Sequence, residues 1–127
     1  GEIPSVLVES TYQREMENIQ QQLQMQRVSL DHYLSQVHQT RETFTANVHK
    51  AAENNTRARM ALLQVAQQEN LVPTDEEMTA KMQERADKLK KPLEEIMAKS
   101  NVESIRRNEA IRRAADWVIE HSTIEEK

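Results

Sequence analysis

The sequence predicts an all-α fold, a thin and elongated multi-helix body, and three observations carry that prediction. Apolar residues recur at spacings of three and four along most of the 127 residues, the periodicity of a helix with one buried face. Gly1 is the single glycine and Pro4, Pro73 and Pro92 are the only prolines, so glycine-built hairpin turns and glycine-rich phosphate loops are both unavailable. Hydrophobic residues make up 37% of the chain, and Tyr12, Tyr33, Phe44 and Trp117 are its only aromatics, little large apolar volume for a rounded core of this length. Residues 1–127 are expected to form one helical domain with arm-like projections, organised about a corner at Asn70-Leu71-Val72-Pro73-Thr74-Asp75-Glu76-Glu77.

Taken in order, Ile3-Pro4-Ser5 is a helix entrance: proline is tolerated in a first turn, and Ser5 is the cap if the helix starts one residue later. Val8, Tyr12, Met16, Ile19 and Leu23 then share one face of a helix reaching about Arg27. The glutamines of Gln20-Gln21-Gln22, Gln24 and Gln26 form its solvated side. Ser29 caps a short helix carrying Leu30, Tyr33, Leu34 and Val37, and Thr40 caps a long one. In that long helix Phe44, Val48, Ala51, Asn55, Ala58, Leu62, Val65 and Glu69 keep helical spacing, with Ala52, Leu63 and Ala66 widening the stripe toward its end. Its polar middle, Glu53-Asn54-Asn55-Thr56, either projects as an arm or meets a polar partner. Pro73 restricts Val72 to extended geometry, and Thr74 with Glu77 has the form of a capping box that starts the next helix. That helix buries Met78, Met82, Ala86 and Leu89 and stops near Lys90-Lys91, because Pro92 disfavours helical geometry in the residue before it. A two-turn helix, Leu93 to Lys99, follows. Asn101 caps the last helix, whose stripe Val102, Ile105, Ile111, Ala115 and Val118 is flanked by Ala110, Ala114 and Trp117. Apolar on more than one side, it is expected to be the central packing helix. Thr123-Ile124-Glu125-Glu126-Lys127 reads as a polar tail.

Little in the chain points to chemistry. The absence of cysteine removes disulfides, thiolate nucleophiles and cysteine-based zinc sites. His32, His38, His49 and His121 lack the spacing of a metal-binding helix and read as exposed residues. Neighbouring carboxylates such as Glu76-Glu77 and Glu94-Glu95 point ~100° apart on a helix and suit the positive end of its dipole better than acid and base catalysis. No catalytic residue, cofactor or metal is expected. The net charge of −4 and the acids interleaved among Arg106, Arg107, Arg112 and Arg113 argue against direct nucleic-acid binding. No apolar run approaches the ~18 to 20 residues that cross a bilayer. A first residue of Gly predicts a piece of a longer protein. Six methionines, Met16, Met25, Met60, Met78, Met82 and Met97, are many for so few aromatics. Core filling explains each alone, whereas together they suit an adaptable binding surface.

Several stretches resemble the C-terminal, substrate-cradling domain of bacterial trigger factor. They are Ile3-Pro4-Ser5-Val6-Leu7-Val8-Glu9, Ser29-Leu30-Asp31-His32-Tyr33-Leu34, Thr40-Arg41-Glu42-Thr43-Phe44, the corner Asn70 to Glu77, and the last helix running into Ser122-Thr123-Ile124-Glu125-Glu126-Lys127. The resemblance implies a cytoplasmic, ATP-independent chaperone module that shields unfolded or nascent polypeptides on apolar helical surfaces. The family's Gly-Phe-Arg ribosome-docking loop and its β-structured prolyl isomerase domain have no counterpart here, so ribosome contact and isomerase activity would belong to other parts of a longer chain. Family members begin this domain upstream of Ile3-Pro4, which predicts that helices short of a partner pair in a homodimer. Met16, Ile19, Leu23, Phe44, Val48, Met78 and Met82 are the expected polypeptide contacts. Two other readings stay open: a coiled-coil or adaptor module for one folded partner or itself, and a helical cradle like that of parvulin-linked periplasmic chaperones.

Overall fold

The structure, a computed structural model, describes residues 3–125, with side-chain surroundings given as far as Ser122. Gly1, Glu126 and Lys127 lie outside the described residues, and with them the expectation drawn from the first residue and the end of the expected tail. Among the described residues six helices follow one another, α1 (Ser5–Met25), α2 (Leu30–Gln36), α3 (Arg41–Gln68), α4 (Asp75–Leu89), α5 (Leu93–Lys99) and α6 (Val102–Glu125). Among the described residues there is no strand. The chain packs into two compact units, residues 1–60 and 61–127, with α3 running through the boundary.

The caps fall largely where the sequence puts them. Ser29 accepts a hydrogen bond from the His32 amide at 3.1 Å, Thr40 from that of Thr43 at 3.1 Å and Asn101 from that of Ser104 at 3.0 Å. Thr74 accepts from the Glu77 amide at 3.1 Å while the Glu77 carboxylate accepts from the Thr74 amide at 3.2 Å, a complete capping box. Three boundaries differ from expectation. Ser5 is the first helical residue and Pro4 holds the cap position without a side-chain bond. The first helix ends at Met25, because Arg27 turns left-handed and donates its amide to Gln24 O at 3.0 Å while the Val28 amide returns to Leu23 O at 2.9 Å. The expected polar tail is helical through Glu125.

In the first unit, Leu34, Phe44 and Val48 form a core onto which Tyr12, Met16, Ile19 and Leu30 pack. Further along, α3 buries Ala52 and Thr56. Ala51, Asn55 and Ala58 of the expected stripe are exposed. The buried positions 44, 48, 52 and 56 follow a strict four-residue step, one of the two ridges that cover a helix surface, and an antiparallel α1 lies along it. The polar middle of α3 therefore meets a polar partner: Thr56 reaches Thr11 and Asn55 reaches Glu15.

In the second unit, Ala66 on the end of α3 meets Ala110 and Ala114 of α6, with Leu62, Leu63, Val65, Leu71 and Val72 around them. A second cluster joins Met82 and Ala86 of α4 to Ile96 of α5, with Leu93, Val102 and Ile105 against it. Helix α6 contributes to both, as a central packing helix should. Its deepest residues are Ala110 and Ala114 rather than Ala115 and Val118, because Ala110 and Ala114 are the ones that pack against Ala66 of α3.

Candidate binding surfaces

The seven side chains expected to contact polypeptide lie within the packing. Leu23, Phe44, Val48 and Met78 are buried, Met82 is fully so at 0% exposure, and Met16 and Ile19 are half-buried against the first core. Met16, Ile19, Phe44 and Val48 come together in one cluster, while Met82 belongs to another in the second unit. Periodicity identifies the face of a helix that is covered, and here other helices cover it.

The large apolar side chains left at the surface are a different set. In the first unit they are Val6, at 76% exposure, Leu7, Met25, at 86%, Tyr33, Val37 and Met60. Val6 and Leu7 stand on the first turn of α1 and Met25 on its last, whereas Tyr33 and Val37 are one turn apart around α2. In the second unit they are Leu89, Met97, Val118 and Ile119. Leu89 continues the apolar face of α4 one turn past Ala86, and Met97 lies one turn past Leu93 on α5. The six methionines thus divide, with Met78 and Met82 buried, Met16 half-buried, and Met25, Met60 and Met97 exposed. The periodic stripes hid this exposed set, since Val6, Leu7 and Met25 fall off the stripe that α1 turns inward.

Open grooves interrupt the surface among the described residues. One, of about 530 Å³, runs between the start of α1 and α3, with Val8 at its floor and Glu9, His49, Glu53 and Arg57 along its sides. A second of about 390 Å³ lies at the joint of α1 and α2, where Leu23, Val28 and Leu30 are flanked by Gln20, Gln24 and Arg27. Amide and apolar side chains suit extended backbone and nonpolar side chains better than a charged ligand. The third, about 310 Å³, sits over α4 and α6 beside Met78, Lys81, Glu109 and Arg113.

Charges near this third groove secure the corner. Arg113 donates to Glu77 Oε2 at 2.6 Å and to the Leu71 carbonyl at 3.3 Å. Two turns earlier on α6, Arg106 donates to the Pro73 carbonyl at 2.7 Å and to Asp75 Oδ1 at 2.6 Å. Positions 106 and 113 are two helical turns apart, so the same side of α6 holds both limbs of the corner. The hydrogen bond from Arg113, with the Thr74 amide, holds the Glu77 carboxyl below its ordinary range. Glu109 is drawn down further, to about 2, first by its hydrogen bonds from Arg112 and then by Lys81. Sequence reasoning saw only interleaved charges here; that α6 faces the corner is a tertiary fact.

Among the described residues no group of three or more His, Cys, Asp and Glu comes together to hold a metal ion. His49 packs beside Tyr12 with ring centroids 5.5 Å apart, and His121 stacks on Trp117 at 3.8 Å. No helix is long and apolar enough to cross a membrane among the described residues.

A family model described as the C-terminus of bacterial trigger factor protein matches residues 1–120. The chain is similar to the trigger factor of Halalkalibacterium halodurans, 27% identical over 125 residues that cover 95% of this chain and 29% of that protein. It is 28% identical over 130 residues to the trigger factor of Geobacillus thermodenitrificans, with 97% of this chain and 29% of that protein covered. The trigger factor of Bacillus subtilis is 26% identical over 121 residues, 94% of this chain and 28% of that protein. The chain thus spans less than a third of the length of these relatives. No solved structure gives a significant match.

Proposed function

The chain belongs to the family of bacterial trigger factor C-terminal domains, a chaperone-related module separate from the prolyl isomerase part, and from that membership we propose that it binds unfolded or nascent polypeptides without ATP. The observation that carries this reading is the set of large apolar side chains held at the surface of the first unit, Val6, Leu7, Met25, Tyr33 and Val37. Spread over α1 and α2 among amides, and including the flexible Met25, they suit weak contacts with many sequences rather than one shaped ligand. Of the seven side chains expected as polypeptide contacts, Met16, Ile19, Leu23, Phe44 and Val48 enter this proposal as packing within the first unit, with Leu23 and Leu30 reached through the groove at the joint of α1 and α2, and Met78 and Met82 as packing within the second unit. We propose also that residues 1–127 serve as one functional module of a longer cytoplasmic folding factor, whose ribosome contact and isomerase activity reside in other domains.

Light scattering from a chemically unfolded client tests this. The protein in several-fold excess should suppress aggregation, and Val6→Ser with Leu7→Ser and Met25→Ser should weaken that suppression severalfold at unchanged thermal midpoint. No suppression by the unaltered chain would overturn the proposal. The alternative, a module that pairs with one folded partner or with its own copy, is favoured by Leu89 and Met97 on neighbouring helices of the second unit. A dimer in sedimentation that Leu89→Ser with Met97→Ser dissociates, together with no affinity for unfolded chains, would support it instead.

A further inference from the structure

Thioethers are the only sulfur groups of the chain, which has six methionines and no cysteine. The fold sorts them by access. Met82 is closed off at 0% exposure in the cluster with Ala86 and Ile96, and Met78 is buried as well. Met16 is half-buried against Leu34, Phe44 and Val48. Met60 and Met97 stand at 40% and 38% exposure, whereas Met25, the last residue of α1, stands at 86%. A thioether carries no proton to titrate, so access decides how fast an oxidant reaches its sulfur. The most open sulfur therefore belongs to the exposed apolar set of the first unit, and the closed ones, Met78 and Met82, to the packing of the second.

We propose that Met25 is a modification site, oxidised to the sulfoxide by hydrogen peroxide, and that its oxidation weakens polypeptide binding while the helices stay packed. The second half rests on the reading of this surface as the one that meets client chains. A lone pair of the Met25 sulfur attacks one oxygen of the peroxide, so that an S–O bond forms and the O–O bond breaks. Sulfur gives up two electrons, the peroxide is reduced, and the proton of the transferred hydroxyl passes to the departing hydroxide, which leaves as water. The flexible apolar side chain becomes a polar one that no longer suits a nonpolar partner. The same change at position 82 would loosen the cluster with Ala86 and Ile96. At position 25 it falls on a side chain that lies in solvent.

Peroxide treatment of the folded protein, followed by peptide mass spectrometry, reads the first half. Met25 should gain its oxygen severalfold faster than Met78 and Met82, with Met60 and Met97 between them, and urea should remove the difference. Equal rates in the folded protein would overturn the proposal. Light scattering from an unfolded client, added once the peroxide is removed, reads the second half. The oxidised protein should suppress aggregation severalfold less than its untreated sample at an unchanged thermal midpoint, and methionine sulfoxide reductase should restore the suppression. Met25→Leu, compared with its own untreated sample, should lose little on the same treatment. An equal loss in Met25→Leu, a lowered midpoint, or no loss in the unaltered chain oxidised at Met25 would each overturn the second half. Absence of suppression before any oxidation would be a failure of the proposed function and would take the second half with it, while the order of oxidation would still be decided by mass spectrometry alone.

Discussion

Lys90 has a φ of 55°, and Arg27, His38 and Asn70 are likewise left-handed at 56° to 60°. Each follows the end of a helix, where the next amide folds back to close it: Val28 to Leu23 O, Gln39 to Leu34 O, Leu71 to Ala66 O and Lys91 to Ala86 O, all within 3.0 Å. Glycine usually fills this place, since a Cβ crowds the following carbonyl. This chain has none to offer there. Lys90→Gly should raise stability by about 0.5 to 1 kcal/mol, the relief of strain less the added entropy of the unfolded chain. Asn70→Gly should gain less, because asparagine tolerates the conformation. Paired thermal melts check both. Glu109 sets a second residue-scale expectation. Its folded value of about 2 lies below its ordinary 4.5. Such a depressed carboxyl contributes stability that is fully present above the unfolded value and lost as pH falls toward the folded one. Urea midpoints should therefore fall between about pH 4.5 and 2, and Glu109→Gln should flatten that decline; an unchanged slope in the variant would count against it.

At the scale of elements, the corner between α3 and α4 is held twice, by its own capping box and by the two arginines of α6. The capping box was legible in Pro73, Thr74 and Glu77, because capping is decided by residues three apart in sequence. The arginine contacts were not, since Leu71 and Arg113 are 42 residues apart and charge pattern alone does not say which helix faces which. Thr74→Ala should cost about 1 kcal/mol through the lost cap. Adding Glu77→Ala should lower the thermal midpoint further, by removing the partner of Arg113 as well. If the double variant melts with Thr74→Ala, Arg113 contributes nothing through Glu77. Likewise Thr56 offered a local signal, a threonine in mid-helix able to bond its own i−4 carbonyl, but the burial of that residue depends on α1.

At the scale of the molecule, packing is distributed over two compact units and, among the described residues, three small clusters. Removing one large side chain should then loosen its own surroundings most. Phe44→Ala leaves a cavity worth about 3 to 4 kcal/mol. Hydrogen exchange should quicken in α1, α2 and the first half of α3 more than in α4 and α5. Uniform acceleration across all six helices would show a single cooperative unit instead. The all-helical class and the family were both readable in advance, one from periodicity and the missing glycines, the other from ordered motifs along the chain. The seven side chains expected as polypeptide contacts were chosen for their stripes, and the structure has Leu23, Phe44, Val48, Met78 and Met82 buried and Met16 and Ile19 half-buried.

The sequence by itself determined the helices, most of their caps and breaks, and the faces turned inward, because hydrophobic period, proline and capping residues act over one to four positions. Only the tertiary structure decided what each face meets. It places α1 along a four-residue ridge of α3 rather than along the expected stripe, turns Arg106 and Arg113 onto the corner, and leaves Val6, Leu7 and Met25 outside. Those outcomes depend on contacts between residues tens of positions apart, where burial is settled by the partner helix rather than by the residue's own neighbours.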